Sequence, residues 1–523
     1  MADIIGTLGT DTLIGTDAAD TLTPYGTTVT GESDFLLGGL GDDIYDLRRS
    51  DASQSYIIQD DSADGAVDGI VNAGAFYHSA SLGYVGYAEA IRVGDDLILD
   101  TPYKPARFRD PSKPSYHIEI IDHFRDGAVE SIEAGGTVYQ IATGPEGGSL
   151  ADLIAGTNAA EVMLGRGGDD WIFGNGGKDT IKSGNGDDMV FGGNGGDKIR
   201  AGNGNDTVFS ESGWDKIRGG NGADWIEAGD GNDRIMGEAD NDRLLGGNGN
   251  DRLEGGEGQD YLSGDAGNDW LRGGLAGDVY VFNSRLGDAG WGNDTISDQG
   301  DAPSYQNIDS IELRGFYGPS DGSTPEAFAR LSFARDGLNM VISADGGVST
   351  LVVQKQFKAT GEQFFIEELV FNAGYWTEYT MKIISEERHD IGDDRNNDPF
   401  IGSEAHEIIF GNNGGNSLFG GSGTNFIWTG DGDDVLIYKE NDPQVWAGAG
   451  GGASHDIVMD FDVASDVLDF TEMKISRADL VLSEDADGDA LVAWDAPGWE
   501  ISDILIELRG VAMSDLTDDH FVF

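Results

Sequence analysis

Large apolar residues recur at every ninth position through the middle of the chain, with polar residues or glycine at most positions between them. From Gly165 to Val281 each unit has the form G-G-x-G-x-D-x-U-x, where U is a large apolar residue. A single apolar residue between two mostly polar ones predicts a very short strand with one inward side chain. The U positions are Ile172, Ile181, Val190, Ile199, Val208, Ile217, Ile226, Ile235, Leu244, Leu253, Leu262, Leu271 and Tyr280.

The glycine-rich half of each unit predicts a turn, because glycine adopts positive φ and lets carbonyl oxygens approach an ion without interference from a Cβ. Two nonapeptides then form one coil of a thin, two-sheeted solenoid. Equivalent residues on one edge of that solenoid are therefore expected to lie two nonapeptides apart in sequence.

The sixth position of every unit is aspartate. These residues are Asp170, Asp179, Asp188, Asp197, Asp206, Asp215, Asp224, Asp233, Asp242, Asp251, Asp260, Asp269 and Asp278. Because stacked coils lie about 4.8 Å apart, a carboxylate of one coil and carbonyl oxygens of the next can converge on one cation. An all-oxygen site of flexible geometry favours calcium over magnesium.

Pairs two units apart are the predicted partners at each ion, for example Asp179 with Asp197 and Asp188 with Asp206. Thirteen units contain eleven such pairs, which predicts roughly eleven calcium ions in two files. Asp240 and Ala276 replace the fourth-position glycine, and Glu211 replaces another glycine. Weaker or distorted sites are expected beside these three residues.

This in-phase pattern resembles the RTX family of haemolysin-type calcium-binding proteins. The resemblance implies a parallel β-roll and export from a Gram-negative bacterium as an unfolded chain through a type I secretion apparatus. It also implies that the chain folds when it meets calcium outside the cell.

Weaker copies of the unit occur toward both ends. Near the start, the acidic positions are Asp11, Asp20, Asp34 and Asp43, which we predict as further calcium ligands. Late in the chain, Glu407, Asn416, Asn425 and Asp434 keep the nine-residue phase, with Ile409, Leu418, Ile427 and Leu436 at the apolar position. Asparagine lacks the charge that attracts a divalent cation, so this late stretch predicts coils with little metal, and Asp434 is its candidate ligand.

Two segments between the repeats, about 45–141 and 280–379, align with one another and predict duplicate β-rich modules. Alternating apolar residues such as Ile118, Ile120, Leu351 and Val353 favour strands in both. The modules resemble one that often follows RTX blocks. The end of the chain from Asp456 is similar to the C-terminal cap of secreted metalloproteases, which carries an uncleaved secretion signal.

The predicted fold class is therefore all-β, with parallel β-roll blocks alternating with two β-rich modules. The predicted domains are short N-terminal coils (1–47), module 1 (48–150), the main roll (151–282), module 2 (283–395), degenerate coils (396–455), and a cap with a type I secretion signal (456–523).

Charge supports the choice of calcium as the partner. The chain has 95 acidic and 32 basic residues and a net charge of -63, so it repels itself unless cations neutralise it. Nucleic acid and anionic membranes are expected to be poor partners because both need basic patches, which this chain is expected to lack. Cysteine is absent, which excludes disulfides and thiolate metal sites.

The N-terminal residues show no basic region followed by an apolar core, and no apolar run reaches membrane-spanning length. We therefore expect no cleaved signal peptide and no membrane insertion. Together with the repeats, this predicts a protein secreted to the medium or cell surface through its C-terminal signal.

No catalytic site is predicted. His406-Glu407 begins like a zinc-protease helix motif, but Phe410 stands where the second histidine must be. The residues around Ser320 match the nucleophile-elbow motif, but no apolar strand directly precedes them. His117 and His123 flank Asp122, where a partly exposed strand face explains them more simply than a metal or acid–base site.

The leading hypothesis is a secreted, non-catalytic calcium-binding protein with a structural, surface-layer, matrix or adhesive role. Its candidate partners beyond calcium and the secretion apparatus are other copies of itself and cell-surface polysaccharide. The alternatives are a polysaccharide-active enzyme, lyase or epimerase, and a glycan-binding module carried on the scaffold, which Tyr375, Trp376 and Tyr379 permit.

Overall fold

The structure is a computed structural model of the 523-residue chain. It describes the central part of the chain without a break and the remainder chiefly as separate strands. The described residues are 3–5, 12–14, 21–23, 34–37, 44–46, 54–59, 69–71, 87–93, 96–103, 116–120, 131–134, 137–142, 144–283, 291–297, 309–314, 331–336, 339–344, 349–354, 368–372, 378–385, 400–401, 406–411, 415–421, 424–430, 432–439, 454–473, 475–485, 487–494 and 504–523.

Short strands in the main roll alternate between two parallel sheets. Face 1 consists of Asp152–Ala155, Trp171–Phe173, Met189–Phe191, Thr207–Phe209, Ser212–Gly213, Trp225–Gly231, Arg243–Asn248 and Tyr261–Ala266. Face 2 consists of Val162–Leu164, Thr180–Asn185, Lys198–Asn203, Lys216–Asn221, Arg234–Ala239, Arg252–Glu257 and Trp270–Leu275.

Strands in each face pair in register with the strand of the next coil. Ile181 is opposite Ile199, and Ile199 is opposite Ile217, so the coil contains 18 residues. The apolar residues of the eighth position are buried between the faces, and Ile181, Ile199 and Leu244 are 0% exposed. The predicted two-sheeted roll is confirmed. Each of these buried eighth-position residues, called plugs from here on, contributes about 1.5–3 kcal/mol of hydrophobic stabilisation.

The chain divides into two compact units, Met1–Leu275 with Trp291–Asp294, and Ala276–Gly290 with Thr295–Phe523. In the first unit the strands before the main roll are Asp3–Ile5, Thr12–Ile14, Thr21–Thr23, Asp34–Leu37, Ile44–Asp46, Gln54–Gln59, Gly69–Val71, Tyr87–Val93, Asp96–Tyr103, Tyr116–Ile120, Ser131–Ala134 and Thr137–Ile141. Leu13, Leu22, Leu36 and Tyr45 are buried two residues after the predicted acidic positions.

Module 1 is inserted into the stack of coils. Ile44–Asp46 pairs in parallel with Gly69–Val71, which pairs in parallel with Ser131–Ala134. Two antiparallel pairings, of Asp96–Tyr103 with each of its neighbours Tyr87–Val93 and Tyr116–Ile120, interrupt the parallel pattern. The module thus continues the sheets of the roll.

The second unit contains the strands Val279–Asn283, Asn293–Ile296 in part, Ser310–Arg314, Leu331–Asp336, Asn339–Ala344, Ser349–Val353, Glu368–Asn372, Glu378–Ser385, Phe400–Ile401, His406–Phe410, Ser417–Phe419, Thr424–Trp428 and Val435–Lys439. Module 2 repeats the strand order of module 1. A three-stranded antiparallel meander, 331–353, precedes an antiparallel pair formed by Glu368–Asn372 and Glu378–Ser385.

The C-terminal part closes the coils of the second unit. Its strands are Ser454–Val458, Val467–Glu472, Val481–Glu484, Ala490–Trp494, Ile504–Leu508 and Phe521–Val522, and its 3-10 helices are Arg477–Asp479, Met513–Asp515 and Asp518–His520. Late plugs such as Ile409 and Leu436 share one core with Phe470 and Phe521. The described residues include no α-helix.

Basic residues gather on the outer side of face 2, which corrects the expectation that the chain lacks basic patches. Lys198 is opposite Lys216, and Lys216 is opposite Arg234 across neighbouring strands. Net charge averages over the whole chain, whereas an 18-residue coil brings distant residues into one file. The expectation against nucleic acid loses that support and stays a prediction.

Candidate metal centre

Two files of buried aspartates run along the edges of the main roll, one at the start of each face. Ladder 1, before the strands of face 1, consists of Asp152, Asp170, Asp188, Asp206, Asp224, Asp242 and Asp260. Ladder 2, before the strands of face 2, begins with the half-buried Glu161 and continues with the buried Asp179, Asp197, Asp215, Asp233, Asp251, Asp269 and Asp294.

One carboxylate oxygen of each aspartate is held by the neighbouring coil. The backbone N–H of Asp188 donates to Oδ1 of Asp206 at 2.8 Å, and the N–H of Asp179 donates to Oδ1 of Asp197 at 2.7 Å. The same bond recurs along both ladders. The pairs that the sequence predicted are therefore neighbours, and each Oδ1 has a fixed position.

The second oxygen, Oδ2, is buried and accepts no hydrogen bond among the described residues. This holds for Asp170, Asp179, Asp188, Asp197, Asp206, Asp215, Asp224, Asp233, Asp242, Asp251, Asp269 and Asp294. Ser183 and Ser210 donate their hydroxyl hydrogens to the carbonyls of Ala201 and Ala228 instead. A buried carboxylate oxygen without a donor is costly unless a cation binds it.

Carbonyl oxygens of the next coil lie beside these Oδ2 atoms, and the first-position glycine leaves space for them. A Cβ at Gly219 would lie 2.1 Å from Asp224 Oδ2 and 2.9 Å from the Gly237 carbonyl oxygen. A Cβ at Gly246 would lie 2.5 Å from Asp251 Oδ2 and 2.8 Å from the Gly264 carbonyl oxygen. Each site is thus a cradle of oxygen atoms alone.

Burial raises the pKa of the ladder carboxyls, and the charge of neighbouring carboxylates raises several of them further, while the backbone N–H donor opposes the shift. The pKa is raised to about 8 for Asp170, Asp206, Asp242, Asp251 and Asp294, to about 7 for Asp188, Asp215 and Asp224, and to about 6 for Asp179, Asp233 and Asp269. Ionised ladders are therefore unfavourable without a positive charge.

This donor set fits calcium. Carboxylate and carbonyl oxygens are ligands for a hard cation, and repeated sites of flexible geometry suit an ion that accepts six to eight of them. When bound, the ion would supply the charge that compensates the buried carboxylates. The ladder aspartates would hold it, together with the carbonyls of the first-position residues.

The replaced glycines keep the backbone conformation of the repeat. Glu211, Asp240 and Ala276 have φ of 69°, 76° and 79°, in the left-handed region that favours glycine. The ladder bond from the N–H of Asp224 to Asp242 Oδ1 has a normal length of 2.9 Å. The expected irregularity therefore takes the form of an unfavourable φ, while the ladder beside Asp240 keeps its geometry.

The late coils contain a shorter ladder. Asp434 Oδ2 is buried without a hydrogen-bond donor among the described residues, and burial with the nearby Asp466 and Asp460 raises the pKa of Asp434 to about 6. Asn425 lies where a carboxylate stands elsewhere, and its Nδ2 donates to Asp456 Oδ1 at 2.8 Å. An amide there supplies a hydrogen-bond donor to the next coil, and the small metal content of the late coils stays a prediction.

Some predicted ligands lie outside the described residues. These are Asp11, Asp20 and Asp43, and the side chains of Asp34 and Glu407. Ser320, Asp122, His123, Tyr375 and Trp376 also lie outside them, as do the side chains of His117 and Tyr379.

Two aspartates that accept the same bond were missed because insertions shift their phase. Asp294 Oδ1 accepts from the N–H of Asp269 at 2.8 Å, although 25 residues separate them. Asp309 Oδ1 accepts from the N–H of Asp278 at 2.8 Å across 31 residues. Each begins an aspartate-x-apolar triplet, which ends at Ile296 or Ile311, and this triplet is the signal that could have identified them.

Comparisons with known proteins agree with this geometry. The family described as the RTX calcium-binding nonapeptide repeat matches residues 4–23, the overlapping stretches from 155 to 280, and 401–437. These matched stretches include most of ladders 1 and 2 and the late coils around Asp434. No curated protein matches the chain.

Among solved structures, an extracellular lipase from Serratia marcescens shares 17% identity with the chain. The match covers 57% of this chain and 42% of the lipase, with a TM-score of 0.18, and it supports no inference. None of the helices among the described residues is long and apolar enough to cross a membrane. The chain is thus a protein with RTX calcium-binding nonapeptide repeats, which build its central β-roll and recur near both ends.

Proposed function

We propose that this protein is an extracellular, non-catalytic scaffold that folds when calcium fills its two aspartate ladders. The observation that supports this proposal is that the Oδ2 atoms along the ladders, for example those of Asp206 and Asp224, are buried without a hydrogen-bond donor among the described residues. Such a row of carboxylates destabilises the roll until cations bind it. Proteins with RTX repeats are typically secreted by Gram-negative bacteria, and type I export of an unfolded chain fits this requirement.

The proposed switch follows from linkage between binding and folding. Extracellular calcium sites typically have dissociation constants of about 0.1–1 mM, so they stay empty at the low free calcium of a bacterial cytoplasm. Outside the cell, each filled site stabilises the stacking of the next coil, which makes filling cooperative. About eleven ions in the main roll is the proposed number.

The absence of an enzyme is part of the proposal. His406 and Glu407 lie on the strand His406–Phe410, which pairs in parallel with 381–385, so they do not occupy the helix that a zinc-protease motif requires. The role that we propose is structural, in a surface layer, a matrix or an adhesive coat.

Circular dichroism of the full chain in chelator, followed by calcium titration, tests the switch. We expect little β signal in chelator, a sigmoidal rise near millimolar calcium, and a much weaker response to magnesium. Calorimetry should give about eleven or more ions per chain. A chain that is already fully β in chelator would exclude the folding switch.

Catalysis is tested separately. Calcium-loaded protein is incubated with neutral and acidic glycans, and released reducing or unsaturated ends are measured. The proposal predicts no release above that of a heat-inactivated sample; turnover would favour a lyase or another polysaccharide-active enzyme.

A further inference from the structure

The outer side of face 2 carries a file of basic side chains that no calcium site uses. We call this set the basic face: Lys182, Lys198, Arg200, Lys216, Arg218, Arg234 and Arg252. All seven are exposed. In a chain with 32 basic residues and a net charge of -63, their gathering on one sheet is not an effect of composition.

Strand register aligns these residues in two columns. Lys198, Lys216 and Arg234 are directly opposite one another on successive strands. Lys182, Arg200 and Arg218 form the second column. Neighbouring strands lie about 4.8 Å apart, so a positive charge recurs at that spacing along the roll.

Much of this charge is uncompensated. Arg218 pairs with Glu238 at 3.3 Å. Glu254 lies 3.4 Å from Arg234 and 2.8 Å from Arg252. Lys198, Arg200 and Lys216 have no carboxylate within ion-pair distance among the described residues. Like charges directly opposite on a sheet repel one another, which costs stability. A ligand that brings regularly spaced negative charges would remove this cost.

A groove and an exposed aromatic ring accompany the charge. The groove has a volume of about 160 Å³ and is lined by residues of the basic face with Ile199, Ile217 and Met236. Trp214, two residues before Lys216, is 73% exposed, the highest value among the large apolar residues that the structure describes. The same repeat position elsewhere holds small or polar residues such as Gly196 and Asn232.

Face 1 provides the contrast. Its outward positions hold Phe173, Phe191 and Phe209, which are buried and stacked on one another with centroid distances of 4.9 and 5.4 Å. This part of face 1 is therefore covered within the chain, whereas the basic face is open to solvent.

We propose that the basic face binds a linear acidic polysaccharide, a polyuronate, lying along the roll. Its successive carboxylates would meet the two basic columns, and the apolar face of a sugar ring would stack on Trp214. A thin chain with a charge on each ring matches a strip two side chains wide. A duplex nucleic acid is broader and would be repelled by the acidic remainder of the surface.

This site uses residues other than the calcium ladders and so goes beyond the scaffold role. The probe is a soluble oligogalacturonate, and its affinity for the full, calcium-loaded chain is measured by calorimetry. The double variant Lys198→Gln/Lys216→Gln should bind roughly tenfold or more weakly, because glutamine cannot form a charged hydrogen bond to a uronate carboxylate. Trp214→Ala should bind about fivefold more weakly, because the sugar ring would have no aromatic face to stack on.

A matched control removes two positive charges elsewhere. Arg166→Gln/Arg509→Gln breaks the exposed ion pair with Glu146 and the ion pair between Arg509 and the buried Glu507, and it should keep the affinity of the unaltered chain. Circular dichroism with calcium titration should be the same for all variants, which separates loss of binding from loss of folding. An uncharged maltooligosaccharide should not bind.

Three outcomes would overturn the proposal. The first is unchanged affinity in Lys198→Gln/Lys216→Gln, as calcium-bridged binding at the edges would give. The second is tighter binding of duplex DNA than of oligogalacturonate through the same lysines. The third is oligomers in sedimentation velocity that the double variant dissociates while oligogalacturonate fails to bind, which would assign the face to a second copy of the chain.

Discussion

At the scale of single residues, each ladder aspartate has two opposed effects. Its ionised carboxylate destabilises the ion-free roll, because burial raises its pKa, and the same carboxylate is needed for calcium. The balance between the two is set by the cation alone. A substitution that keeps the shape but removes the charge therefore separates them.

Asp206→Asn tests this separation. In chelator we expect the variant to be more stable than the unaltered chain, because the pKa of Asp206 is raised to about 8 and its charge is unfavourable there. In calcium it should be less stable and bind about one ion fewer. Urea unfolding in both conditions and calorimetry measure these changes.

Asp187→Asn is the matched control for that experiment. Asp187 is exposed, and its Oδ1 accepts from the N–H of Asn205, a bond that asparagines such as Asn232 make elsewhere in the roll. The stability of the Asp187→Asn variant should differ little from that of the unaltered chain, both in chelator and in calcium. Equal losses of stability for both variants in calcium would contradict a special role of Asp206.

Gly249→Ala tests the fourth-position glycines. Gly249 has φ of +134°, and a Cβ there would lie 1.4 Å from the carbonyl oxygen of Gly231, so the turn must distort. We expect a loss of about 1–3 kcal/mol in the free energy of unfolding with calcium. Asp240→Gly, which relieves a positive φ, should be neutral or stabilising, and the opposite ranking would contradict this interpretation.

At the scale of the element, one short strand contributes one inward side chain to the core. The strand Thr180–Asn185 buries Ile181 between the faces and exposes Lys182. Such a strand has little stability by itself, so its position depends on the coils above and below it. Substitution of a single plug is therefore expected to destabilise the adjacent coils as well.

Ile181→Ala should lower the free energy of unfolding by about 2–5 kcal/mol in calcium, because it leaves a cavity in a core one side chain thick. It should also raise the calcium concentration at the midpoint of folding. Lys182→Ala on the same strand should change both by much less. Thermal unfolding with calcium titration compares the two, and similar effects would contradict the one-sided packing.

At the scale of the whole molecule, the ladders link folding to pH and to calcium. The pKa values of eleven ladder aspartates rise from 3.8 to about 6–8 in the folded, ion-free state. Folding without calcium therefore takes up protons, and the stability that this contributes is present at low pH and lost as the pH rises through about 6–8.

In chelator we accordingly expect more β signal at pH 5 than at pH 8. With calcium the dependence reverses, because protons compete for the same oxygens. The calcium concentration at the folding midpoint should rise as the pH falls from 8 to 6. Circular dichroism titrations at several pH values measure both trends, and a midpoint independent of pH would contradict them.

The sequence by itself determined the coil, the plugs and most ladder residues. All of these follow from a nine-residue period. The period is visible in the sequence because each repeat forms the same turn and short strand and therefore needs the same residue types at the same positions. Where the phase is unbroken, from Asp170 to Asp269, neighbouring ladder residues are 18 positions apart in sequence.

Tertiary structure decided what a period cannot show. Asp294 and Asp309 accept the same ladder bond although 25 and 31 residues separate them from Asp269 and Asp278, a spacing that the nine-residue period does not predict. Stacking of the coils also decides how the two carboxylate oxygens differ: Oδ1 accepts a backbone hydrogen bond, and Oδ2 is buried without a donor among the described residues. The basic face arises because stacking of the coils places several of the few basic side chains on one sheet. A net charge of -63 for the whole chain gives no indication of this local arrangement.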